Sequence, residues 1–184
     1  MKHLFKLLLG SVPFFFQQAA AQQLLARPLR TDAVIAVITD EEVAASPSFR
    51  QYCQMLESKE ALGVYAVAAK WKDPDQVRNT LMGIRKSYPR LEGMVLIGNV
   101  PVAMIRNAQH MTTAFKMDEI KFDRKQSSVA SDRFYDDVDL KFRAIGQDDK
   151  NPLWFYYELE ESSLQSIRSD LYSGRIMSHA AGVA

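Results

Sequence analysis

The stretch DAVIAVITD, residues 32–40, decides the fold. Between its two aspartates runs a continuous apolar segment rich in β-branched residues, without the polar alternation of a strand that shows one face to water. Such a run suits a strand buried on both faces, as in a parallel sheet. The residues that follow agree. Ser46-Pro47 reads as a helix N-cap with a first-turn proline. Phe49, Tyr52, Cys53 and Leu56, at i, i+3, i+4 and i+7, then form one apolar helical face. GVYAVAAK (63–70) reads as a second strand. Asp73-Pro74 repeats the cap-and-proline signal. Val77, Leu81, Ile84 and Tyr88 make the face of a second helix, which Pro89 stops. GMVLIGN (93–99) is a third buried strand. Strand, helix, strand, helix, strand with short connections predicts right-handed crossovers. The expected fold is α/β, a three-layer parallel sheet with helices on both faces.

The second half is less regular. Residues 101–115 read as a loop with one helical turn, and 121–131 as polar and exposed. NPLWFYYEL (151–159) is aromatic and β-favouring. Ser162 or Ser163 is placed to cap a short helix carrying Leu164, Ile167 and Leu171, and YSGRI (172–176) to open another strand. The tail MSHAAGVA (177–184) has neither apolar periodicity nor a cap and reads as irregular.

The 184 residues suffice for one globular domain. Lysine and arginine number 23 against 22 acidic residues, a balance that fits neither a nucleic-acid surface nor a polybasic membrane patch. Residues 1–21 carry Lys2 and Lys6, a short apolar middle and the exit Ala19-Ala20-Ala21, the build of a secretory signal peptide cleaved near Ala21-Gln22. The apolar part is too short and interrupted to span a bilayer core of about 30 Å, so no stable membrane span is expected. Export to the periplasm, cell surface or medium follows. Loss of Lys2 and Lys6 leaves 21 basic residues against 22 acidic ones. The single cysteine, Cys53, excludes an internal disulfide.

Candidate chemistry is sparse. Cys53 lies on the apolar face of the first expected helix and reads as a core residue. His110 lies in a polar loop or short helix and His179 in the tail; neither is spaced to activate a thiol. A G-x-S-x-G elbow, a phosphate-cradling glycine loop and Cys/His pairs at zinc spacing are all missing. Asp40, Glu41 and Glu42 follow the first strand as in a phosphoacceptor domain, but the third strand ends in Asn99, where that chemistry needs an aspartate. One segment stands out: ASDRFYDDVDLKF (130–142), in which Asp132, Asp136, Asp137 and Asp139 supply hard oxygens of the kind calcium takes. It lacks the EF-hand spacing and glycine. The competing reading is a solvated acidic turn between Arg133 and Lys141, with Phe134, Tyr135 and Phe142 packed beneath.

Taken together, GMVLIGNVPVAMIRNAQHMTTAFKMDE (93–119), SSVASDRFYDDVDLKF (127–142) and SDLYSGRI (169–176) resemble the N-terminal half of a gingipain-type cysteine peptidase catalytic domain. Such domains carry a Leu-Val-Gly-Asp-like turn followed by proline, then Ser-Asp-x-x-Tyr-x-Asp-x-Asp, then a strand with Gly-Arg. The corresponding residues are Leu96 to Asn99 with Pro101; Ser131, Asp132, Tyr135, Asp137 and Asp139; and Gly174-Arg175. Asn99 stands where the family has aspartate, and Leu140-Lys141 where it often has Gly-Asp. The resemblance covers residues 33–176 and implies an incomplete, truncated caspase-like domain: residues 32–176 as the N-terminal α/β subdomain of a secreted hydrolase acting on peptide or protein substrates. The family's catalytic His-Gly and cysteine belong to the later half of the domain. No residue here is assigned a catalytic role, and no cofactor beyond the calcium reading is implied. The alternative is an exported, non-catalytic α/β module that binds a ligand or a protein in a crevice at the carboxyl ends of the strands, lined by Thr39, Asp40, Asn99 and the acidic loop.

Overall fold

The structure, a computed structural model, describes residues 21–111, 117–165 and 168–177. The expected signal peptide and most of the tail lie outside these residues. In chain order the elements are β1 (Gln23–Ala26), β2 (Val34–Thr39), α1 (Glu41–Ala44), α2 (Pro47–Ser58), β3 (Gly63–Ala68), α3 (Pro74–Ser87), β4 (Leu91–Ile97) and β5 (Val102–Arg106). A 3-10 turn (Gln109–Met111) follows, then α4 (Arg124–Ser127), β6 (Val129–Ala130), α5 (Arg133–Asp136), β7 (Phe142–Gln147), β8 (Trp154–Leu159) and β9 (Tyr172–Ile176). Among the described residues no helix is long and apolar enough to cross a membrane.

The first sheet has the order β1-β3-β2-β4-β9. Strands β2, β3, β4 and β9 run parallel, and β1 joins β3 antiparallel. The apolar run of residues 32–40 supplies the central strand: Val34, Ala36, Val37 and Ile38 are fully buried. Its side chains alternate between two packed faces. Val34, Ala36 and Ile38 meet Val77, Leu81 and Ile84 of α3 on one face, while Val37 meets Phe49, Cys53 and Leu56 of α2 on the other. Both helices start as their sequences dictate. Ser46 Oγ accepts from Phe49 N–H at 3.2 Å, and Asp73 Oδ1 accepts from Gln76 N–H at 2.8 Å. Leu81 lies at the centre of the α3 face with no exposed surface; truncating it to alanine costs about 2–5 kcal/mol.

The parallel sheet is not the whole fold. A second sheet, ordered β6-β5-β8-β7, packs its apolar side into the α3 face of the core through Ala103, Ile105, Tyr157 and Leu159. In it β5 and β8 are parallel, and β6 and β7 antiparallel to their neighbours. The architecture is therefore mixed α/β with two mixed sheets, which corrects the single parallel sheet expected from the sequence. The error sits at residues 101–115: Val102 to Arg106, expected as loop, form the buried strand β5. An apolar run of only four residues, closed by Pro101 and Arg106 and containing helix-favouring Ala103 and Met104, carries no strand signal by itself. Its partner β8, fifty residues later, decides its state. The short helix expected after Ser162 is also absent from the described residues: 161–165 form turns or irregular chain. Ser163 is instead buried, accepting from Lys141 N–H at 2.8 Å. Ile167 lies outside the described residues.

The two sheets are joined by the turn after β4. Gly98 has φ +82°, and a Cβ there would lie 2.3 Å from Asp40 Oδ2. Only glycine meets both conditions. Asp40 uses this space to accept Val43 N–H with one oxygen and Asn99 N–H, at 2.5 Å, with the other. The aspartate that ends β2 thereby caps α1 and pins the exit of β4.

Candidate functional site

The acidic segment lies where the two sheets meet, and its aspartates have separate fates. Asp132 faces Arg175 of β9. The guanidinium donates to both Asp132 oxygens at 2.7–3.2 Å and to the carbonyls of Val100 and Pro101 at 2.8 and 3.1 Å. Tyr135, fully buried, donates its hydroxyl to the same Pro101 carbonyl at 2.7 Å and sets its ring 5.9 Å from the Arg175 guanidinium. Burial holds the Tyr135 phenol well above its ordinary pKa, so it acts here only as a donor. The proline turn, the Ser-Asp-x-x-Tyr segment and the Gly-Arg strand thus close on one cluster.

Asp136 is buried and turns the other way. It accepts the Ser173 hydroxyl at 2.7 Å and pairs with Arg133 at 3.3 Å, while its backbone carbonyl receives the N–H groups of Asp170 and Leu171. Burial raises its carboxyl to about 6, against the lowering effect of the Ser173 hydrogen bond and the Arg133 charge. Asp137, also buried, pairs with Arg133 at 2.8 Å through one oxygen and caps Asp139 N–H and Leu140 N–H with the other. Asp139 is exposed. The loop that follows is held by Arg78 of α3, a residue that no motif singles out. Its guanidinium donates to the carbonyls of Asp137 and Leu140 at 2.9 and 2.6 Å and lies over the rings of Phe134 and Phe142.

The four aspartates expected to offer oxygens to calcium therefore do not converge. Asp132 serves β9, Asp136 serves β9 and Arg133, Asp137 serves its own loop, and Asp139 faces solvent. Among the described residues no group of three or more His, Cys, Asp or Glu side chains is arranged to hold a metal ion. The competing reading holds for the rings, since Phe134 and Tyr135 are packed beneath, but not for a solvated turn, since Asp136 and Asp137 are buried as well. The segment is a polar core whose charges are answered by Arg133 and Arg175.

The other candidates are placed as follows. Cys53 is buried on the inner face of α2, and burial pushes its thiol up to about 11, away from the thiolate that a nucleophile requires. His110 is exposed on the 3-10 turn after β5. At the carboxyl ends of the strands Thr39 donates to the Ile97 carbonyl, and Asp40 is occupied by Val43 and Asn99. These groups close the turns and leave little to offer a ligand. A larger recess lies beside them: an open groove of about 1020 Å³ between the end of β3 and α3, with Tyr65, Trp71, Gln76, Thr80 and Gly83 in its lining. Trp71 donates its indole N–H to the Thr39 carbonyl at 2.7 Å, and a Cβ at Gly83 would meet nothing within 4 Å.

In comparisons with known proteins, no family model, curated protein or solved structure matches the chain.

Proposed function

We propose that this chain is the N-terminal portion of a secreted gingipain-like cysteine peptidase, a scaffold for proteolysis without the groups that perform it. The observation that carries the reading is the meeting of its three sequence signatures, from Pro101, Asp132–Tyr135 and Gly174-Arg175, around one guanidinium. Residues 75 positions apart share a single polar cluster, so the resemblance rests on a combination that the fold uses together. The chemistry of Cys53 agrees with inactivity. A buried thiol with a raised pKa on α2 and an exposed histidine on the 3-10 turn after β5 make no nucleophile–base pair.

Two measurements test this. The nucleotides downstream of the Ala184 codon are read in all frames; a His-Gly and a later cysteine are expected, and their absence from every frame refutes the family reading. The purified chain is also treated with a thiol-reactive peptidase probe and assayed on denatured protein. No turnover is expected, and turnover lost in Cys53→Ala refutes the inactivity. The second reading, an exported binding module, draws on the groove between β3 and α3 rather than on the strand-end loops. It predicts a ligand-dependent rise in Tm that Gly83→Leu removes.

A further inference from the structure

The sheets have four edges, and three are blunted. β1 has four residues and a register break between Leu24 and Ala26. β6 has only two residues. β7 breaks register between Ala144 and Gly146 and carries the exposed Arg143. Bulges, shortness and charge of this kind are what keep sheet edges from pairing. β9 has no bulge, and its one charge, Arg175, is turned to Asp132 of its own chain. It pairs with β4 in unbroken register over five residues, and its other side has no strand partner among the described residues. Tyr172 is 82% exposed, Ile176 49% and the adjoining Met177 55%.

The free side of β9 is self-complementary. The Ile176 carbonyl accepts from Gly98 N–H, so Tyr172, Gly174 and Ile176 turn their backbone groups to β4. By alternation Ser173 and Arg175 turn theirs outward. We propose that β9 pairs antiparallel with β9 of a second copy of this chain, about a two-fold axis through Gly174, joining the two first sheets into one. In that register Ser173 lies opposite Arg175 of the other copy, and the two exchange backbone hydrogen bonds in both directions. Gly174 lies opposite Gly174 at the close, non-hydrogen-bonded spacing, and nothing stands within 4 Å of the position its Cβ would take. Tyr172 lies opposite Ile176, an aromatic and β-branched pair of the kind that stabilises antiparallel strands. The charge pattern permits the approach: Arg175, the charged residue of the strand, is answered by Asp132 of its own chain. The pairing is isologous, as most homodimers are. It stands or falls independently of the peptidase reading.

Sedimentation velocity on the purified chain over a dilution series tests it. A dimer that dissociates on dilution is expected. Tyr172→Lys combined with Ile176→Lys places lysines opposite each other at two points and should give a monomer with an unchanged far-UV spectrum. The register is tested by Tyr172→Cys combined with Ile176→Cys. On mild oxidation the double variant should form a covalent dimer, and either single variant should not. A monomer at every concentration overturns the proposal and leaves the edge to a different chain. A dimer that survives the lysines, or a double-cysteine variant that does not cross-link, overturns it as well.

Discussion

Replacing Arg175 by methionine keeps most of the aliphatic stem and removes the guanidinium. Five hydrogen bonds go with it, three to Asp132 and one each to the Val100 and Pro101 carbonyls. The side chains of Arg175 and Asp132 are 13% and 22% exposed, so the pair lies between two regimes. Exposed ion pairs contribute about 0–1 kcal/mol. Breaking a fully buried pair by removing one partner costs about 3–5 kcal/mol, because a charge is left without an answer. Asp132 retains some access to water, and the Pro101 carbonyl keeps Tyr135 as a donor, which places the expected loss at about 3 kcal/mol. For a chain of this size that is a fall in Tm of roughly 6–12 °C. Urea denaturation of Arg175→Met and Arg175→Lys measures it. Lysine, a single point charge on a thin stem, cannot reach a carboxylate and two carbonyls together and should recover less than half. A double-mutant cycle with Asp132→Asn should give a coupling of about 1–3 kcal/mol. A loss below about 1 kcal/mol with no coupling would refute the reasoning.

Three further outcomes follow. Asp136 titrates near 6 in the folded chain against about 3.8 unfolded, facing Arg133, Asp132, Asp137 and the Ser173 hydroxyl. A raised carboxyl favours the folded state when protonated; that contribution is complete below about pH 4 and is lost as the pH rises through 6, by up to about 3 kcal/mol in all. Asp136→Asn should flatten this part of the pH dependence, measured as urea midpoints between pH 4 and 7; an unchanged slope contradicts the assignment. Gly98→Ala forces a side chain into positive φ against Asp40 and should cost about 2 kcal/mol or more in chemical denaturation. Adding calcium, then a chelator, should leave Tm unchanged, since Asp132 and Asp137 are already held by Arg175 and Arg133; a calcium-dependent rise lost in Asp139→Asn would restore the cation reading.

The first half of the fold was legible because its signals are local. A buried run such as residues 34–39, or a Ser-Pro or Asp-Pro cap followed by apolar residues at helical spacing, needs no distant partner to be read. The second sheet was not, because the apolar run of β5 is four residues between a proline and an arginine, and its strand character comes from pairing with β8. The same holds for the acidic segment. Its four aspartates were visible as a cluster of oxygens, but their roles are set by residues far away in sequence: Arg175 for Asp132, Ser173 for Asp136, and Arg78 for the carbonyls of Asp137 and Leu140. The one hint lay in the Gly174-Arg175 signature, whose arginine is the charge that answers Asp132. Charge clusters read from one segment overstate their availability whenever the answering charge lies on another element.

Amide hydrogen exchange on β9 puts the matter most simply. If Asp132 and its neighbours are the polar latch that fixes β9 to β4, then Asp132→Ala should speed exchange at the inward-facing amides of Gly174 and Ile176 while the amides between β2 and β4 keep their protection. Unchanged protection along β9 in that variant would mean that the strand holds without the latch.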